Sequence, residues 1–256
     1  MTHIDVALVE SGVGRITLNR PDRRNAMSLD LLLDLRTVLE ELESKRDVRV
    51  VVIQGAGPAF SAGHDLTEMI DRDAVFYEEL FGTCTDVMLA VQRMPQPVIA
   101  KVHGMATAAG CQLVAACDLA VAADDARFAT PGVRIGLFCS TPMVPISRAI
   151  GPKRALEMLL TGEPIGAETA LSWGLVNRVV APGRLDSAVE ELAGQILRFS
   201  RDVIEVGKRA FYEQIDRPQD VAYGITGPIM SGNAQHPDAQ EGMGAFLEKR
   251  QAEWGS

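Results

Sequence analysis

Long apolar runs are absent from this 256-residue chain. None approaches the ~18 residues that a membrane-crossing helix requires. The first ten residues alternate polar and apolar side chains and lack the apolar centre of a secretory leader. Basic runs are absent too, and the formal net charge is −9, which argues against nucleic acid as a partner. Cysteine and histidine are scarce, with four of each. Cys84, Cys111, Cys117 and Cys139 make no CxxC pair, so free thiols in a reducing compartment are expected. His3, His64, His103 and His236 show no metal-ligand spacing. Together these absences predict a soluble cytoplasmic protein with no metal, nucleic acid or membrane among its partners.

Hydrophobic residues make up 47% of the chain and charged residues 23%, enough apolar content for a sizeable core. Ile4–Val9 and Val13–Asn19 read as strands around a turn at Ser11-Gly12. Ser28 is placed to cap a helix reaching Lys45, in which Leu31, Leu32, Leu35 and Leu39 recur at helical spacing. Val48–Ile53, Pro97–Val102 and Leu119–Ala122 read as short buried strands of the parallel type. Small-residue loops at 55–63 and 104–110 lead into helices, the second starting near Cys111. Beyond Thr141 the pattern is helical, ending in a helix over Pro237–Ala252. This order fits an α/β core with a helical C-terminal part. A doubly wound nucleotide-binding sheet fits it almost as well.

The usual phosphate cradles are missing. Neither GxxxxGK[ST] nor GxGxxG after the first strands occurs, and HExxH, GxSxG and SxxK are absent. Two other segments carry chemistry. Phe60–Leu66 (FSAGHDL) and His103–Leu113 (HGMATAAGCQL) each follow a buried strand and open a helix. Small residues there leave backbone N–H groups free, and two that converge polarise a carbonyl oxygen. Taken singly, each loop is more simply a tight strand-to-helix joint. Arg20, Arg23 and Arg24, and separately Lys249 with Arg250, form local cationic groups suited to a small anion, although such residues are ordinarily just solvated.

In order and spacing, these segments resemble the crotonase (enoyl-CoA hydratase/isomerase) superfamily over nearly the whole chain. Leu18-Asn19-Arg20-Pro21 with Arg24-Asn25-Ala26-Met27, Phe60–Asp65, Pro97–Asp118, Leu160–Ile165 with Ala167 and Ala170, Gly174-Leu175-Val176 and Glu241–Arg250 look like its successive motifs. The strings ATAAGCQ, ATPGV and GLFCSTP look like one subgroup of it. The resemblance implies an α/β fold: a spiral of ββα units over 1–195, then a C-terminal helical trimerisation region over 196–256. It implies an oxyanion hole made by the backbone N–H groups of His64 and Ala109. Arg24, Ala26, Ala62, His64, Asp65 and Leu66 would line the coenzyme A part of an acyl-CoA thioester. Phe246 and Lys249 of a neighbouring subunit would close over it, in a homotrimer or hexamer. No cofactor is implied beyond the coenzyme A of the substrate itself.

The chain departs from the family pattern at the positions that do chemistry. Hydratases of the family carry two glutamates; here the catalytic positions hold Gln112 and Gly132. Ser140 stands where related isomerases have an aspartate. An amide orients water but exchanges no proton at useful pH, and losing acid–base help costs about 10²–10⁴-fold. Hydration is therefore expected to be weak or absent. The glycine triplet of the family reads Ala108-Ala109-Gly110, and the Ala109 methyl is expected to crowd a backbone that glycine tolerates. At Gly132, backbone freedom is the expected reason for glycine. Two readings follow. The first is an acyl-CoA enzyme, a lyase or isomerase that draws its acid or base from His64, Cys139 or a carboxylate within 68–79. The second is an acyl-CoA binding protein without chemistry.

Overall fold

The structure, a computed structural model, describes residues 3–9 and 12–255. Of the expected first turn, Ser11 lies outside the described residues. Strand β1 (Ile4–Val9) pairs antiparallel with β2 (Val13–Leu18). A 3-10 turn at Pro21–Arg23 leads to helix α1 (Leu29–Glu43), where the Ser28 hydroxyl accepts from the Leu31 N–H at 3.2 Å. Strand β3 (Val50–Gly55), the short α2 (Leu66–Met69) and α3 (Ala74–Arg93) follow. Next come β4 (Val98–Val102), β5 (Met105–Thr107), α4 (Ala109–Ala116), β6 (Leu119–Ala123) and β7 (Arg127–Ala129). After a 3-10 segment at Pro131–Ile135 lie α5 (Met143–Ile150), α6 (Pro152–Thr161), β8 (Ile165–Gly166), α7 (Ala167–Trp173) and β9 (Arg178–Val180). Helices α8 (Leu185–Leu197), α9 (Arg201–Gln214), α10 (Gln219–Ala234) and α11 (Pro237–Glu248) complete the chain. Among the described residues no helix is long and apolar enough to cross a membrane.

The main sheet has the order β1-β2-β3-β4-β6-β9 and is parallel from β2 onward. A second layer holds β5, β7 and β8 and is extended by single bridges Ser61–Ala106 and Met27–His64. The chain repeatedly passes from a main-sheet strand to this second layer and then into a helix: β2, Met27, α1; β3, Ser61 and His64, α2 with α3; β4, β5, α4; β6, β7, α5. This is the expected spiral of ββα units. Burial explains the strand composition. Val51 and Ile53 pack with the leucines of α1, whereas Val50 and Val52 pack with Leu185, Val189 and Leu192 of α8. With both faces covered, the strand reads as an unbroken apolar run.

Three features differ from expectation. Strands β5, β7, β8 and β9 have only two or three residues, too short for any alternation to show. Helix α4 begins at Ala109, ahead of Cys111. The last helix stops at Glu248 rather than Ala252 because Lys249 turns left-handed (φ 57) and the Arg250 N–H closes onto the Ala245 carbonyl at 3.0 Å.

Helix α9 is tied to the core by buried polar side chains, among them Arg201, which donates to the Arg46 carbonyl at 2.9 Å. Lys208 Nζ of α9 donates to the carbonyls of Val91 (2.9 Å) and Gln96 (2.8 Å) and to Asp118 Oδ2 (2.7 Å). The Tyr212 hydroxyl donates to Asp118 Oδ1 at 2.8 Å, and the Val98 N–H to Oδ2 at 2.6 Å. Burial lowers the Lys208 pKa and raises that of Tyr212.

Candidate functional site

The loop at 60–65 is laced to the segment at 24–27. Met27 donates to the Gly63 carbonyl at 2.7 Å, Asp65 donates to Met27 at 3.2 Å, and Ala62 donates to Arg24 at 2.9 Å. Beneath them Asn25 is fully buried in a left-handed conformation (φ 53). Its Nδ2 donates to the carbonyls of Ala56 and Ala59, both at 2.8 Å, and its Oδ1 accepts the Arg20 N–H at 2.9 Å. The Arg20 guanidinium donates to the Ala26 carbonyl (2.6 Å) and to Asp65 Oδ2 (2.9 Å). Asp65 in turn caps α2 through Thr67. Burial pushes the Asp65 carboxyl up, but the hydrogen bonds from Thr67 and Arg20 outweigh it and hold the pKa below its usual value. Arg20 is thus committed to the scaffold, while Arg23 and Arg24 are exposed. The buried role of Asn25 and the pairing of Arg20 with Asp65 are features of these loops that residue-type reasoning missed. Their signal was the LNRP and RNAM strings themselves.

The Met27–His64 bridge uses the Gly63 carbonyl and the Asp65 N–H, so the His64 N–H turns away from it. Among the described residues neither the His64 N–H nor the Ala109 N–H donates to any backbone acceptor. The two loops touch beside them. A Cβ on Gly63 (φ +87) would lie 2.8 Å from the Ala108 methyl and 3.4 Å from the Ala109 nitrogen. The loops are pinned by Thr107 N–H to Ser61 O at 2.9 Å and Ser61 N–H to Met105 O at 3.1 Å. Backbone strain falls on Ala108 (φ 49, ψ −116), not on Ala109, which opens α4. An alanine there costs of order 1–3 kcal/mol that glycine would not.

The His64 ring stands edge-on to Phe81 of α3, with centroids 5.3 Å apart. Both ring nitrogens are buried and, among the described residues, neither has a partner at full hydrogen-bond geometry, though the Met27 backbone lies near enough to favour a proton on the ring. Burial lowers the pKa to about 4, outweighing the opposing pull of the Met27 backbone, so the ring is neutral at pH 7. Gln112, 3% exposed, points its Oε1 at the Cys84 thiol, 4.0 Å away. Phe81 and Cys84 are one turn apart on α3, which sets the imidazole and the amide along one helix face.

Gly132 is buried and not left-handed. A Cβ there would overlap the Leu137 carbonyl oxygen and come within 2.9 Å of Cys139 Sγ. Space, rather than backbone freedom, demands glycine. Burial pushes the Cys139 thiol up, away from thiolate, and Ser140 is exposed. Of the carboxylates within 68–79, Glu68 accepts from the Leu29 N–H at 3.1 Å and Asp73 caps α3. Asp71, Glu78 and Glu79 face solvent. Ala26 is buried, Ala62 half-buried and Leu66 exposed at the mouth of the loop. Phe246 is 82% exposed and Lys249 is also exposed, so neither packs on its own subunit's loops.

The profile of the enoyl-CoA hydratase/isomerase family matches residues 9–256. The chain belongs to that family. It is 47% identical to the mitochondrial enoyl-CoA hydratase domain-containing protein 3 of Mus musculus over 247 residues, covering 96% of this chain and 82% of the relative. It superposes on an enoyl-CoA hydratase of Mycobacterium smegmatis with TM-score 0.97 and 50% identity, covering 99% of each chain. For the human domain-containing protein 3 the TM-score is 0.95 at 44% identity, covering 98% of this chain and 100% of the other. That protein represents the subgroup to which the ATAAGCQ, ATPGV and GLFCSTP strings pointed.

Membership in the family corrects one expectation. The relatives from Mus musculus, Rattus norvegicus, Homo sapiens, Xenopus laevis and Danio rerio are all named mitochondrial, which overturns the cytoplasmic assignment. Unpaired thiols are equally at home in any reducing compartment. A cavity of about 1210 Å³ lies between α3, α4, α5 and α9, but among the candidate catalytic residues it is lined by Gln112 alone. His64, Ala109 and Gly132 do not line it.

Proposed function

We propose that this chain binds acyl-CoA thioesters, holding the thioester oxygen between the N–H groups of His64 and Ala109, and does not hydrate enoyl chains at an ordinary rate. The observation that carries this is the pair of amides on separate loops, each without a backbone acceptor among the described residues, flanking the contact at Gly63. Such preset donors polarise a carbonyl whether or not an acid and a base stand by. Hydration needs both, and Gln112 and Gly132 supply neither. Coenzyme A would run along Arg24, Ala26, Ala62 and Leu66, with Asp65 fixing the loop from beneath. It enters as part of the ligand, and no other cofactor is called for.

Helix α10 buries no residue within the subunit, and Phe246 and Leu247 are 82% and 80% exposed. These faces support a homotrimer or hexamer in which Phe246 and Lys249 cover the neighbour's ligand. A second reading, an acyl-CoA lyase or isomerase of another reaction, is favoured by one observation, the buried imidazole of His64 without a partner at full hydrogen-bond geometry among the described residues. Calorimetric titration with coenzyme A and butyryl-CoA, and crotonyl-CoA turnover, test the proposal. Butyryl-CoA should bind more tightly than coenzyme A. Turnover of about 1–10³ s⁻¹ would overturn the loss of hydration, and absence of thioester binding would overturn the whole assignment. Product formed from another thioester would select the second reading.

A further inference from the structure

We infer that one water molecule, bound between the Arg49 Nε–H and the Gln96 side-chain oxygen, seats the junction of α8 and α9 on the segments that open β3 and β4. This site lies apart from the thioester loops and does not depend on their reading. Counting back two residues from the Val51–Val98 pair of the parallel ladder brings Arg49 opposite Gln96. Both side chains line a cavity of about 10 Å³, with Arg201, Pro97, Leu197 and Ile204 among its walls. Arg49 Nε and Gln96 Oε1 are buried, and among the described residues neither has a hydrogen-bond partner. Two such groups on one small space are rare in a native interior unless something completes them.

The polar groups decide the occupant. Gln96 Nε2 donates to the Leu42 carbonyl at 2.9 Å and reaches those of Glu43 and Lys45 at 3.4 Å. Three carbonyls on one side of the amide fix its orientation and leave the oxygen as an acceptor. Arg49 gives an outer nitrogen to the Phe199 carbonyl, which leaves the inner Nε–H as a donor. Arg201 stands close by. Its charge joins burial in lowering the Arg49 pKa. Two guanidinium groups exclude a metal cation. A halide would accept from Arg49 but has no proton to give Gln96. Water accepts from one and donates to the other, and the cavity has about the volume that a single water needs. The water thereby steadies the guanidinium that holds Phe199, between α8 and α9, while Arg201 of α9 holds the Arg46 carbonyl at 2.9 Å.

The test is crystallography of the full chain grown in bromide. The wild type should show a density peak about 2.7–3.2 Å from both Arg49 Nε and Gln96 Oε1, with no anomalous signal at the bromine edge. Arg49→Lys keeps the cation, and its amine can still reach the Phe199 carbonyl, but the inner N–H is gone. It should lose the peak and raise the hydrogen-exchange rates of α9 amides about tenfold. Gln96→Met has similar length and no acceptor oxygen, and it should lose the peak as well. A direct Nε–Oε1 contact in the wild type, an anomalous peak, or density that survives both substitutions would overturn the inference. Loss of the peak with unchanged exchange would overturn the seating role. If neither variant folds, the wild-type maps alone decide between water, halide and direct contact.

Discussion

Helix α1 buries six side chains in 15 residues, whereas α10 buries none in 16. Both carry large apolar residues. Those of α1 recur at the spacing that faces a sheet, and β1 and β2 lie beneath them. Those of α10, including Val221, Tyr223 and Met230, are 46%, 71% and 69% exposed. The spiral therefore completes its own core, while the C-terminal helices hold apolar surface in reserve and depend on α9 for attachment. Exposed apolar surface on this scale supports the proposed homotrimer or hexamer.

Changes that test this contrast are ordered here by expected effect. Gly132→Glu should be the most damaging, because the new side chain begins where the Leu137 carbonyl already sits. A loss of more than about 4 kcal/mol is expected from overpacking plus a buried charge, lowering the melting temperature by more than about 8 °C. Placing a glutamate at this position is therefore a backbone problem, not a side-chain exchange. Lys208→Ala removes the cation beside Asp118, leaving that carboxylate only the Tyr212 hydroxyl and the Val98 N–H, and should cost about 3 kcal/mol. If the contrast is right, limited proteolysis will cut first within 201–248 while circular dichroism still reports a folded core. Simultaneous loss of core and tail would instead make them one cooperative unit.

A pH titration sharpens the same comparison inside the core. His64 has a folded pKa of about 4 against 6.5 when free. The unfolded chain therefore takes up a proton first as pH falls below 6.5. Stability contributed by the neutral ring is full above that value and is lost between pH 6.5 and 4, on the order of 3 kcal/mol in total. Denaturant melts of wild type and His64→Phe across this window should diverge by that amount. Ala108→Gly is the smallest and the only favourable change. It relieves the strained φ and pays a backbone-entropy cost, for a net gain of about 1 kcal/mol in the same melts.

Much of the fold was legible because its signals are local. The leucine spacing of α1, its Ser28 cap and the β-branched run of β3 each need only a few neighbouring residues to be recognised. The two loops were legible as small-residue joints between strand and helix, and their order along the chain marked the family. The second layer was not legible, since a two- or three-residue strand such as β8 has no period to read.

What the sequence determined by itself is the alternation of strands and helices, the positions of the two loops, and the presence of Gln112 and Gly132 where the family resemblance leads one to expect glutamates. Tertiary structure alone decided that Ala108 rather than Ala109 bears the strain, that Gly132 is held by space, that Arg20 belongs to Asp65, and that the His64 ring is left without a partner at full hydrogen-bond geometry among the described residues. The reason is common to all four. Strain, crowding and an unmet hydrogen bond depend on which atoms lie opposite a residue in space. For His64 those atoms come from Met27 and Phe81, on segments that meet it only when the spiral closes.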